Sequence, residues 1–293
     1  MKGGKSRAWL EIIRLHNCIF AGAAVLIGGM ISAGPALVPL PIFAIGFFVA
    51  VLVAAGGNAI NDYADREIDR INRPERPIPS GKISPEKALD AARGLFIAGI
   101  LLSLLMGNLY CFFLAAANSI ALIAYAGALK RRGILGNITI GYLVGSTFLF
   151  GGLSTSPYRF GALVPPELLT LVLMAGLATV GRELIKAIED VEGDRRCRLK
   201  TFPIVYGKKR AAWAAALFTL AAVVISPLPY LGGIFGEYYL YPLILSVAAF
   251  SAGITKIIID QKAEAAGKAS LAHKIGMCLG LVAFIAGALS RIG

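Results

Sequence analysis

Charge is scarce in this sequence of 293 residues: Asp, Glu, Lys and Arg together make up 16% of it, against about 25% in ordinary soluble domains. That scarcity excludes a disordered chain and a charge-laced coiled coil. Cysteine is equally thin. Cys18, Cys111, Cys197 and Cys278 are scattered, with no CxxC spacing and no histidine companion. A metal finger and a disulfide-stapled secreted module are thereby excluded. Histidine occurs only at His16 and His273, and no Ser-His-Asp or Cys-His grouping is available for nucleophilic catalysis.

What is plentiful is apolar. The hydrophobic fraction is 57% and the mean hydropathy +0.73. A helix needs roughly 20 apolar residues to cross a bilayer. Nine such windows lie near 17–35, 39–57, 88–106, 109–129, 134–153, 162–187, 211–230, 238–256 and 273–291. The expected fold class is therefore an all-α integral membrane protein, one polytopic domain over 1–293. The basic, amphipathic start, about 1–16, reads as an interfacial helix rather than a signal peptide, because no small-residue cleavage site follows a short apolar core. Tyr110, Tyr238, Tyr239 and Tyr241 read as interfacial belt residues, and His16 and His273 as headgroup contacts.

The cations are distributed unevenly. Of the 29 Lys and Arg residues, 27 precede span one or lie in and beside the loops that follow spans two, four, six and eight; Arg159 and Arg291 fall on the other side. Four of these cations are placed between spans eight and nine. The bias puts the N-terminus and those loops in the cytoplasm of a cell-membrane protein. The formal charge of +12 then reports topology and contact with the lipid bilayer. No basic, aromatic-interleaved soluble domain exists to bind nucleic acid.

Two acidic constellations share the cytoplasmic side. In residues 56–81, Asn61, Asp65 and Asp69 fall at i, i+4 and i+8 if span two stays helical past Asn58, and Asp62 lies one residue round from Asn61. Stacked carboxylates repel unless cations sit between them, and hard oxygen donors of this kind suit Mg²⁺ shared with a substrate phosphate. The following run, Arg73-Pro-Glu-Arg76-Pro-Ile-Pro, cannot be helical and presents two guanidiniums suited to phosphate oxygens. In residues 181–207, Arg182, Lys186, Asp190 and Asp194 recur every four residues, with Gly193 placed to open the helix. Arg182 lies about 12 Å inward of Asp190 at 1.5 Å per residue, a depth at which an ionisable group is costly and by default functional. Two acidic helix ends facing each other over a bilayer-depth apolar cavity specify a donor with a charged head and a greasy tail: a polyprenyl diphosphate.

Asn61-Asp-Tyr-Ala-Asp65, Asp69 and Arg73-Pro-Glu-Arg76-Pro-Ile-Pro-Ser-Gly resemble the first signature of the UbiA superfamily of intramembrane prenyltransferases. Asp190-Val-Glu-Gly-Asp194-Arg195 with Lys200-Thr-Phe-Pro203 resembles the second. The resemblance implies nine helices in a ring around a central cavity, with a cytoplasmic cap of loops and short helices, and a prenyl chain moved to a lipid-soluble or phosphorylated acceptor. It places Mg²⁺ on Asn61, Asp65, Asp69, Asp190 and Asp194, with Asp62 orienting beside them. Substrate contacts fall on Arg14, Asn17, Asn58, Arg73, Arg76, Tyr125, Lys130, Arg182, Lys186 and Lys200. The Tyr-Lys element departs from the family pattern, with four residues instead of three between Tyr125 and Lys130; Gly136-Asn137 follows it as in the family. Among family acceptors, geranylgeranylglyceryl phosphate is the preferred expectation and 4-hydroxybenzoate the alternative.

Two other classes fit less well. A CDP-alcohol phosphotransferase keeps its aspartates in one motif, whereas here they are split between spans two and six. A cation transporter would carry charge near the midplane and on both faces.

Overall fold

The computed structural model describes residues 2–33, 40–155, 164–197 and 199–291. Arg159 therefore lies outside the described residues. The helices run in the order α1 (Lys2–Ile13), α2 (Leu15–Ala33), α3 (Leu40–Ala64), α4 (Arg66–Asn72), α5 (Pro85–Ser103), α6 (Leu109–Gly127) and α7 (Ile134–Thr155). They continue as α8 (Pro166–Glu189), α9 (Val191–Arg196), α10 (Phe202–Tyr206), α11 (Lys208–Ile225), α12 (Leu228–Leu231), α13 (Leu240–Ile259) and α14 (Ala263–Leu289). Among the described residues, nine segments are long and apolar enough to span a membrane, and the chain is a multi-pass membrane protein. The short helices α4, α9 and α10 gather with the basic loops at one end.

Local chemistry explains several boundaries. Ser84 caps α5 by accepting from the Lys87 amide, with Pro85 at the first helical position. Asn108 caps α6 through the Tyr110 amide, just after Gly107 takes a left-handed φ of 65°.

Neighbouring helices pack in sequence: α2 on α3 and α7, α3 on α5 and α6, α7 on α8, α8 on α11 and α14, and α13 on α14. Small residues permit the closest approaches. A Cβ on Gly141 or Gly145 of α7 would come within 2.7 Å of a carbonyl oxygen of α8, Gly176 and Val172 respectively. In lipid, where water expulsion does not drive helices together, such close packing is a main source of attraction.

Several expectations need correction. α14 starts at Ala263, ten residues earlier than the apolar window, because its first turns alternate small and charged residues. The loop before it is only 260–262, so Lys256 rides on the end of α13, Lys268 on the second turn of α14, and Lys274 lies three turns into that helix. His273 is consequently three turns inside α14 and fully buried. Its Nε2 lies 3.0 Å from the Thr219 hydroxyl and its Nδ1 2.9 Å from the Ala269 carbonyl. Tyr239 is also fully buried, its hydroxyl donating to the Ser226 carbonyl, whereas Tyr110, Tyr238 and Tyr241 are exposed. α1 ends at Ile13, and its apolar face is covered by protein: Ala8 and Ile12 pack on Ile78, Ile83 and Ala88.

Candidate functional site at the charged end

Each acidic constellation is a helix that breaks at an aspartate without losing its hydrogen-bond ladder. α3 gives way to α4 at Asp65, with φ −89° and ψ 0°. The Asp65 amide still donates to Asn61 and the Asp69 amide to Asp65, at 2.9 and 2.8 Å. α8 gives way to α9 at Asp190, with φ −87° and ψ 0°. Asp190 and Asp194 continue that ladder to Lys186 and Asp190, both at 2.9 Å. The opening thus falls at Asp190 itself, three residues before the expected Gly193. Both breaks occupy the sparsely populated bridge region where active-site residues are often found.

The first arm is buried and saturated with cations. Asp62, Asp65 and Asp69 are 4%, 6% and 6% exposed, and buried carboxylates at that depth require partners. Arg14 pairs with Asp62; Arg76 reaches Asp69 at 2.6 Å and Asp62 at 3.5 Å. Lys130 pairs with Asp65 and donates to the Asn61 amide oxygen at 3.5 Å, while Arg131 approaches Asp65 to 4.0 Å. Asn61 donates in turn to Asp65 at 3.1 Å.

The second arm is more open. Asp190 is exposed and Asp194 half-buried. Burial pushes the Asp194 carboxyl above its ordinary 3.8, and the Asp190 charge adds to this; the Thr201 hydroxyl and Lys130 pull the other way. Lys130 therefore acts on both arms. Its loop is fixed on the far side by a backbone bridge between Arg132 and Lys200, with the Gly133 amide donating to the Lys200 carbonyl at 3.0 Å. The arms also meet directly, the Asn72 amide donating to the Cys197 sulfur at 2.9 Å.

The remaining expected residues divide by position. Tyr125 lies within electrostatic reach of Asp65 and Glu183. Arg182 donates to Glu183 at 3.0 Å, its Nε buried without a partner, and Lys186 is half-buried one turn before Asp190. Arg73 and Lys200 stand exposed at the rim. Asn58 is committed elsewhere: its amide nitrogen donates to the Ile13 carbonyl at 2.7 Å and to Cys18. Glu183 and Arg131 join the site outside the expected set. The signal for Glu183 was its adjacency to the intramembrane Arg182; for Arg131, its adjacency to Lys130.

Beneath these residues lies an apolar cavity of about 490 Å³ between α2, α3, α6 and α7, with Asn17 among its lining residues. Along α3, Asp62, Asn58 and Ala54 follow one another at intervals of four residues, so the charged end and the cavity share one helix face. Among the described residues no three His, Cys, Asp or Glu side chains form a ready-made metal site; the acids are held on two arms, with basic groups paired to them.

A charged, two-armed end over a membrane-depth apolar well defines an intramembrane enzyme for amphiphilic substrates. The chain belongs to the UbiA prenyltransferase family, whose model matches residues 21–286, and is a membrane prenyltransferase. It is 42% identical to digeranylgeranylglyceryl phosphate synthase of Methanopyrus kandleri, over 97% of this chain and all of that one. The enzyme of the same name from Methanothrix thermoacetophila is 43% identical over 95% of this chain and 98% of the relative. A solved structure of digeranylgeranylglyceryl phosphate synthase superposes with a TM-score of 0.85 at 39% identity, covering 98% of this chain and 99% of that one. A UbiA homologue from Archaeoglobus fulgidus, solved with GPP and Mg²⁺, shares the fold at 17% identity and a TM-score of 0.68, over 95% and 99% of the two chains.

Proposed function

We propose that this protein transfers a geranylgeranyl group from its diphosphate to geranylgeranylglyceryl phosphate in membrane ether-lipid synthesis, with Mg²⁺ as cofactor. The charged end faces the cytoplasm, and the whole chain acts as one polytopic domain. The observation that carries the reading is the near-complete overlap, at 42% and 43% identity, with enzymes named for that product. The site chemistry agrees with it.

The donor set fits a hard divalent cation: the Asp65, Asp69, Asp190 and Asp194 carboxylates and the Asn61 amide oxygen, with no thiolate or imidazole among them. Bound there, Mg²⁺ supplies charge neutralisation for a departing diphosphate. Lys130, Arg76, Lys186 and Arg182 hold the diphosphate from the protein side, and Arg73 and Lys200 draw anionic headgroups to the rim. Asp62, clamped between Arg14 and Arg76, aims both guanidiniums at the mouth of the well. As the allylic C–O bond breaks, its electron pair leaves with the diphosphate. The acceptor hydroxyl oxygen then forms the new C–O bond inside a pocket that excludes water, its proton passing to the Asp62 carboxylate at the mouth of the well. Asn17 lines the approach to that carbon, Tyr125 stands within electrostatic reach of Asp65, and Asn58 braces the α1–α2 junction through the Ile13 carbonyl.

The test is transfer of labelled geranylgeranyl diphosphate by the purified, lipid-reconstituted protein, offered geranylgeranylglyceryl phosphate or 4-hydroxybenzoate with and without Mg²⁺. Product is expected with the glyceryl phosphate and Mg²⁺ only. Prenylated 4-hydroxybenzoate would place the protein on the aromatic branch, and magnesium flux without prenyl product would make it a transporter.

A further inference from the structure

The side chains that line the apolar well run out where α2 and α7 touch. Between Asn17 and Ile27 on α2, and between Ile140 and Phe150 on α7, side chains border the cavity. At the deep end of that lining the backbones meet. A Cβ on Gly28 would overlap the Phe148 carbonyl oxygen, and a Cβ on Gly151 would overlap that of Val25. Paired glycines are how membrane helices come this close. Two buried rings line the cavity at this crossing, Phe148 in one core cluster with Ile31 and Leu168, and Phe150 in another with Val49 and Cys111. Gly28 is thirteen residues beyond Leu15, which puts the stop about 20 Å below the start of α2 at 1.5 Å per residue.

We infer that this crossing is a chain-length stop for the donor: Gly28 and Gly151 close the helices, and Phe148 and Phe150 set how many isoprene units the well admits. The inference rests on the proposed function for the place of the head group. Geometry selects the donor's tail over the acceptor's. The reacting carbon is the first atom of the donor tail, so that tail must begin directly beneath the acids. The acceptor's tail is attached to its glycerol away from the attacking oxygen and can leave sideways. A volume of about 490 Å³ is that of a single-ligand pocket.

The test is competition among three-, four- and five-isoprene diphosphates at equal concentration, with the glyceryl phosphate acceptor fixed, and then the reverse with acceptor length varied. Ala50→Leu and Ala24→Leu add atoms to the wall and should shift product toward the three-isoprene donor by about tenfold; Phe148→Ala and Phe150→Ala should shift it toward the five-isoprene donor by a similar factor. The filling variants carry the test even if a Phe→Ala protein does not fold. Unchanged donor ratios in every folded variant, with the wild type active, would overturn the stop alone. A change in acceptor-length selectivity with donor selectivity intact would overturn the assignment of the well to the donor. If the wild type makes no product from any donor with this acceptor, the functional reading fails and takes the stop with it.

Discussion

Asp65 and Asp190, 125 residues apart in the chain, break their helices with the same backbone geometry, φ −89° and −87° with ψ at 0° in both. Each break tilts the next aspartate, Asp69 or Asp194, onto a short helix while the i→i−4 ladder continues through it. The two arms are thus built alike, and Lys130 ties them together electrostatically.

Lys130 is aimed by its loop, and the loop depends on Gly133. That residue holds φ at 55° while its amide bonds the Lys200 carbonyl. Gly133→Val would cost about 1–2 kcal/mol in the left-handed region and should loosen Lys130 from Asp65. The expected result is a raised KM for the diphosphate with intact membrane insertion; Gly133→Asn, which tolerates positive φ, should restore most of the loss.

Arg14 holds Asp62 from a strained position, φ 51° at the junction of α1 and α2. Removing it leaves a buried carboxylate with only the 3.5 Å contact to Arg76. Arg14→Ala should lower kcat/KM by about ten- to a hundredfold through misplacement of the mouth, and Arg14→Lys should recover part of it. Steady-state kinetics in reconstituted vesicles decides this.

Asp194 predicts an acid limb. Its folded-state pKa is raised above 3.8, chiefly by burial. Protonation thus favours the folded arm: that contribution is full below 3.8 and lost as pH rises through the raised value. Cation binding needs the opposite form, so Mg²⁺ affinity should begin to fall at a higher pH than an ordinary carboxylate would give. Asp194→Asn should weaken Mg²⁺ binding at neutral pH and flatten that limb in a titration of activity against pH.

His273 should matter to stability and little to chemistry. His273→Ala removes its contacts to Thr219 and Ala269 inside the packed end of α14. A loss of about 1–3 kcal/mol is expected, read as a lower unfolding midpoint with kcat nearly unchanged in the folded fraction.

The spans and both acidic arms were legible in the sequence, because bilayer thickness imposes a length on apolar runs and carboxylates at intervals of four have few uses beside a membrane. The lateral order of the helices was not. A membrane helix is apolar on every side, so nothing in the sequence tells Tyr239 that it faces Ser226, or His273 that it faces Thr219. Pairings such as Arg14 with Asp62 and Asn72 with Cys197 join residues 48 and 125 positions apart and are set by how the bundle closes. The cavity was expected, but its floor depends on the approach of Gly28 to Phe148 and of Gly151 to Val25, which only packing discloses.

The most direct test of the account is a double-mutant cycle on Mg²⁺-dependent binding of a non-reactive geranylgeranyl diphosphate analogue, measured by titration calorimetry on wild type, Asp65→Asn, Asp190→Asn and the double variant. If both arms share ions around one diphosphate, each single change should cost about a hundredfold in affinity and the double little more, a coupling of roughly 2 kcal/mol or above. Additive losses, with each arm binding as though the other were absent, would contradict it.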